Sequence, residues 1–83
     1  MSMDELIIEA VKHAQAGRWQ NAHDIVQDID NPNAYWIHAY LHRVEGDDSN
    51  AAYWYRRAGR AMPTTGTTQE LEDLANELLS SNP

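Results

Sequence analysis

Two glycines, Gly17 and Gly46, mark a repeat that limits what this chain can fold into. Residues 6–30 laid over residues 35–59, without a gap, align Ile8 with Ile37, Ala10 with Ala39 and His13 with His42. The same alignment puts Gly17 on Gly46, Asn21 on Asn50 and Ala22 on Ala51. The shared positions have a common physical sense. Glycine turns the chain between two helices, and alanine lets those helices approach closely. The expectation is a pair of helical hairpins with short turns and antiparallel neighbours.

Local signals supply the helices. Ser2 and Glu5 have capping-box spacing for a first helix, whose apolar stripe is Leu6, Ala10 and Ala14 with Ile7 and Val11, and which stops at Gly17. A second helix puts Trp19, Ala22, Val26 and Ile29 on one face and ends before DNPN. Asn31 then caps a third helix, with Pro32 in its first position, running to about Glu45. A fourth begins in DDSN and runs to about Ala61, with Pro63 as its stop. A fifth starts at Thr67 with Glu70 at capping-box spacing, and carries Leu71, Leu74, Ala75, Leu78 and Leu79 as its stripe. No segment has the alternation of a strand. The reading is all-α: hairpin 1 over about 3–30, hairpin 2 over about 32–62 and a capping helix over about 67–80, in one domain of residues 1–83.

The second unit resembles a tetratricopeptide repeat, and its WYRRA string looks like the shorter Sel-type relatives of that repeat. The positions that carry the resemblance are Ala39, Gly46, Ala51, Tyr55, Ala58 and Pro63, over about residues 32–64. Residues 3–30 follow the pattern with a shorter unit and no second aromatic. The chain as a whole looks like small bacterial proteins with an HAYLHR–EGD–YWYRRAG pattern, a resemblance that brings no activity with it. Arrays of this family usually hold three or more units, so the fifth helix is expected to cover the open side of the second hairpin.

The resemblance implies a concave groove lined by Ile7, Val11 and Ala14 from the first unit and by Trp36, Tyr40 and Arg43 from the second. Trp, Tyr and Arg are the residue types most enriched at binding hot spots, and arginine takes a carboxylate bidentately. The expected function is a non-enzymatic protein-interaction module or small adaptor. Its partner is a protein or peptide, or a second copy in a homodimer. The fifth helix folding back into that groove is the competing expectation. Arg56, Arg57 and Arg60 offer a secondary anionic contact. With Tyr53 they form an outward stripe, because successive helical residues turn about 100°. Ala51, Tyr55 and Ala58 then face the packing seam, with Trp54 beside them under Ala61 and Met62.

His38 and His42 lie four apart on one helical face, with Glu45 three further on and Glu9 or His13 as a further ligand source. This supports an alternative, a small metal- or ligand-binding helical protein. It is set against a packing role in which His13 and His42 each bond one nitrogen across the helix seam. On that weighing no metal and no cofactor is expected.

Charge and composition narrow the classes further. The net charge of −7 divides into −4 over residues 1–30, +1 over residues 31–62 and −4 over residues 63–83. An acidic chain is repelled by polyphosphate, so nucleic acid is not expected as a partner. There is no cysteine, which excludes disulfides, thiolate metal sites and thiol nucleophiles. No phosphate loop or serine elbow is present, and the acid pairs Asp47–Asp48 and Glu72–Asp73 fit a helix start and a solvent face rather than a catalytic dyad. The N-terminus lacks a basic n-region and a long apolar stretch, so no secretory signal, no membrane contact and a cytoplasmic location are expected.

Overall fold

The computed structural model describes residues 2–80. Five helices follow one another: α1 (Met3–Gln15), α2 (Trp19–Val26), α3 (Pro32–Val44), α4 (Asp48–Ala58) and α5 (Thr67–Leu79). No strand occurs among the described residues.

The starts are written locally. Ser2 caps α1 in a full capping box: its hydroxyl accepts from the Glu5 N–H while the Glu5 carboxylate accepts from the Ser2 N–H. Asn31 caps α3 by accepting from the Asn33 N–H at 2.8 Å, with Pro32 at the first helical position. Both satisfy backbone donors that a helix start leaves without an intrahelical partner.

The turns after α1 and α3 close in the same way. Arg18 N–H donates to the His13 carbonyl and Asp47 N–H to the His42 carbonyl, both at 2.9 Å. The residue inside each loop is a glycine in the left-handed region, Gly17 at φ 75° and Gly46 at φ 87°. A side chain at such a φ costs about 1 kcal/mol, which glycine avoids. The third closure of this kind revises the sequence reading. Gly59 caps α4 with φ 73°, and Arg60 N–H donates to the Tyr55 carbonyl. The helix therefore ends at Ala58, before Ala61 and well before Pro63.

Two more boundaries differ from expectation. Helix α2 ends at Val26, and Ile29 lies beyond it, half-buried in a turn that its N–H makes with the Val26 carbonyl. Helix α5 is capped by Gly66, not Thr67, with no side-chain cap. Glu70 makes no capping box because its carboxylate is drawn into the core, where the residue is 1% exposed.

Helix α3 is the centre of the molecule. It packs against α1, α2, α4 and α5, and Ala34 to His42 are all buried. Helix α1 packs on α2 across the first glycine turn, and α4 packs on α3 across the second. Helix α5 returns across residues 59–66 to lie against α1 and α3. Alanines at the closest approaches (Ala10, Ala22, Ala34, Ala39 and Ala51) have no exposed surface, and Ile37, Leu41, Tyr55 and Leu74 fill the space between them. Among the described residues no helix is long and apolar enough to cross a membrane.

Candidate metal centre

Three imidazoles meet on one side of α3. His38 and His42 come from successive turns of that helix, and His23 comes from α2 packed beside it. One ring nitrogen from each lies within 4.8 Å of the other two. The ring centroids are 4.8 Å apart for His23 and His38, 5.4 Å for His23 and His42, and 4.8 Å for His38 and His42.

Tryptophans hold the trio from both sides. Trp19, one turn before His23, stacks on that ring at 4.8 Å and 9° between planes. Trp54 of α4 stacks on His38 at 4.0 Å and 16°. The Trp54 ring therefore packs on a histidine, where the sequence suggested Ala61 and Met62. Trp19 also donates its indole N–H to the Leu41 carbonyl at 2.7 Å, tying the start of α2 to α3.

The hydrogen bonding of the three rings is unequal. His42 Nδ1 lies 2.5 Å from Glu45 Oε2. A carboxylate only accepts, so the proton of this bond sits on His42 Nδ1. His23 Nδ1 and His38 Nδ1 are buried without a hydrogen-bond partner. Leaving a buried polar atom unpaired costs about 1–3 kcal/mol.

Burial disfavours the charged form of two of the rings, His38 and His23. Burial pushes the His38 pKa down to about 4, and the neighbouring His23 and His42 add to the effect. The His23 pKa is lowered as well, first by burial and then by His42, against smaller opposing effects of Asp24 and Glu45. Neutral imidazole is the form that ligates metal.

The sequence placed His38, His42 and Glu45 together, and they are together, with Glu45 on the outside buttressing His42. It missed His23, which falls outside the repeat register and carries no signal except its four-residue spacing from Trp19. Glu9 and His13 are paired with each other at 3.8 Å and take no part in the cluster. The proposed cross-seam bonds of His13 and His42 are replaced by local ones. His13 Nδ1 accepts from Arg18 Nε at 2.8 Å, and His42 bonds Glu45 on the next turn. Asp47 completes a second grouping with His42 and Glu45, but both of its acids are exposed.

Of the residues assigned to a groove, Ile7, Val11 and Ala14 are buried in the core, and Trp36 and Arg43 bond Glu70 of α5. Trp36 is 4% exposed, donates its indole N–H to Glu70 Oε2 at 3.2 Å, and has the Arg60 guanidinium 3.5 Å above its ring. Arg43 meets Glu70 Oε1 at 2.9 Å and also donates to the Thr65 carbonyl. Tyr55 donates its hydroxyl to Glu70 Oε2 at 2.5 Å. Burial and Glu70 raise the pKa of the Tyr40 and Tyr55 hydroxyls, and the bond to Glu70 raises that of Arg43. Tyr40 is buried, and with Ala14, Trp19 and Val44 it borders a small surface recess. Of the basic stripe, Arg56 is exposed and Arg60 pairs with Glu77 at 2.9 Å. Arg57 lies 4.6 Å above the Tyr35 ring and donates to the hydroxyls of Tyr35 and Tyr53.

Comparison with known proteins gives no match: no family model matches the chain, and no curated protein and no solved structure matches it.

Proposed function

We propose that the chain binds a divalent transition-metal ion through His23, His38 and His42. One observation carries the reading: the buried Nδ1 atoms of His23 and His38 lack partners, and one ring nitrogen of each histidine lies within 4.8 Å of one from His42, which Glu45 holds by its Nδ1. A carboxylate-backed histidine is a recurrent feature of metal sites. A ligand set of nitrogens with no thiolate suits zinc, nickel or copper(II). Three protein ligands leave a fourth position open to water or an exogenous group. Tetrahedral zinc–nitrogen bonds of about 2.0–2.1 Å put the ligand atoms roughly 3.3 Å apart, so the rings close in by about 1.5 Å at most.

The test is titration of the metal-stripped protein with Zn²⁺, Ni²⁺ and Cu²⁺ by calorimetry and thermal melting. The expected result is one ion per chain. At a hundredfold excess over Kd the added stability is about 2.7 kcal/mol, which in a domain of this size moves Tm by roughly 10 °C or more. His38→Gln and His42→Gln each weaken binding. Absence of heat and of any Tm shift with all three ions overturns the reading.

A second reading, the interaction module, is favoured by one feature. Trp36 and Arg43 engage a helix in the chain itself, through the acidic residue Glu70 of α5. A tetratricopeptide-like arrangement of two hairpins and a cap is supported by the matched turns at Gly17 and Gly46. On this reading a partner presents an acidic amphipathic helix in place of α5. A labelled peptide of residues 66–80 added to the full chain gives saturable anisotropy that Arg43→Ala reduces. No binding at high peptide concentration removes this reading.

A further inference from the structure

We infer that the ion bound by the three histidines is a clamp that fastens α2 onto α3, so that the order of α2 is set by metal. The inference rests on the metal-binding reading above and adds its structural consequence.

Two of the ligands belong to α3, and the third belongs to a shorter helix that packs on two of the others, α1 and α3. His38 and His42 sit in a stretch buried from residue 34 to residue 42 and packed by all four other helices. His23 sits in α2, whose eight residues make it the shortest helix of the five. A helix of this length has little stability of its own, since isolated helices below about 12–15 residues are marginal in water. The N-cap of α2 is Arg18, which supplies no side-chain cap, whereas α1, α3 and α4 each have one. Only Ala22 and Val26 of α2 are fully buried. It packs on α1 across the first glycine turn and is held to α3 by the Trp19 hydrogen bond to Leu41, by the histidine rings and by Ala22 and Val26 in the core.

Those rings meet across the α2–α3 seam with two partnerless nitrogens, one on each side. The unpaired nitrogens oppose closure of the seam when no ion is present. An ion held by the three rings takes one nitrogen from each, and these ligand atoms lie within 4.8 Å of one another. Because the nitrogens are up to 4.8 Å apart and must approach to about 3.3 Å, ligation draws α2 toward α3. The movement falls on α2, because α3 is fixed from four sides. Helix α5 packs on α1 and α3, and it serves as an internal reference.

The experiment is amide hydrogen exchange on the full chain, read by mass spectrometry with and without Zn²⁺, beside calorimetry on the same samples. Exchange over residues 19–26 is expected to slow by at least about tenfold on adding Zn²⁺, while exchange over residues 67–79 slows less. In His23→Gln the ion binds more weakly and the selective slowing of α2 disappears. If calorimetry shows zinc bound to the wild-type protein and residues 19–26 exchange as before, or slow no more than α5, the clamp is overturned while the metal site stands. If no zinc binds, the metal reading fails and the clamp with it. The wild-type comparison decides the matter even if His23→Gln does not fold.

Discussion

His38 is a buried base whose folded-state pKa lies near 4, against 6.5 for the free side chain. Between those values the unfolded chain binds a proton that the folded chain refuses. Stability therefore falls as pH drops through this window and is fully present above it. The expected loss from this group between pH 7 and pH 5 is about 2 kcal/mol, measurable by urea denaturation of the metal-free protein. His38→Gln flattens the slope over the same range, and an unchanged slope would show that His38 titrates normally. A second residue-scale expectation concerns Gly46, whose φ of 87° leaves open space for a methyl group and only the backbone as an obstacle. Gly46→Ala should cost about 1 kcal/mol, and Gly17→Ala about the same, seen as similar drops in Tm. Residues of this kind were legible in the sequence because their signal is local. Ser2, Glu5, Asn31, Pro32 and both turn glycines do what their neighbours in the chain require. His23 was not legible, since its meaning comes from another helix, whose nearest histidine, His38, lies fifteen positions further on.

At the scale of elements, the telling case is α5. Its apolar stripe predicted burial, and Leu74, Ala75 and Leu78 are buried. Its polar anchor was misread as a cap, because spacing from Thr67 to Glu70 has the same form whether the carboxylate turns back to the backbone or inward. Tertiary partners decided: Trp36, Tyr55 and Arg43 all converge on Glu70. Removing the carboxylate strands a guanidinium that is 15% exposed. Glu70→Ala should destabilise the fold by about 3–5 kcal/mol, the usual cost of breaking a buried pair from one side. The double variant Arg43→Met with Glu70→Leu should recover much of that loss, since apolar replacements of a buried pair are often neutral. Denaturant midpoints of the singles and the double give the coupling directly, and simple additivity would mean the pair is not a unit.

For the whole molecule, the fold class was readable and the arrangement only partly so. Helical period, turn glycines and the absence of strand patterns led to five helices, and the described residues form five. What periodicity does not encode is which face meets which. Trp36 and Arg43 have the chemistry of a binding surface and use it on α5, and the basic stripe of α4 is partly taken up by Tyr35, Tyr53, Trp36 and Glu77. The histidine cluster exists only because α2 packs on α3, with Trp54 of α4 stacked on the His38 ring.

Helix α3 touches every other helix and is covered on all sides, from Ala34 through His42. An amphipathic helix tolerates replacement on its wet face, so its record of substitutions rises and falls every three or four residues. This helix has no wet face over that stretch. A saturation library scored for folded protein should give an unbroken band of intolerance across those nine positions, with the rhythm returning in α1 and α5. The same band should separate inherited variation in this chain into two regions, with drift accumulating before residue 34 and after residue 42.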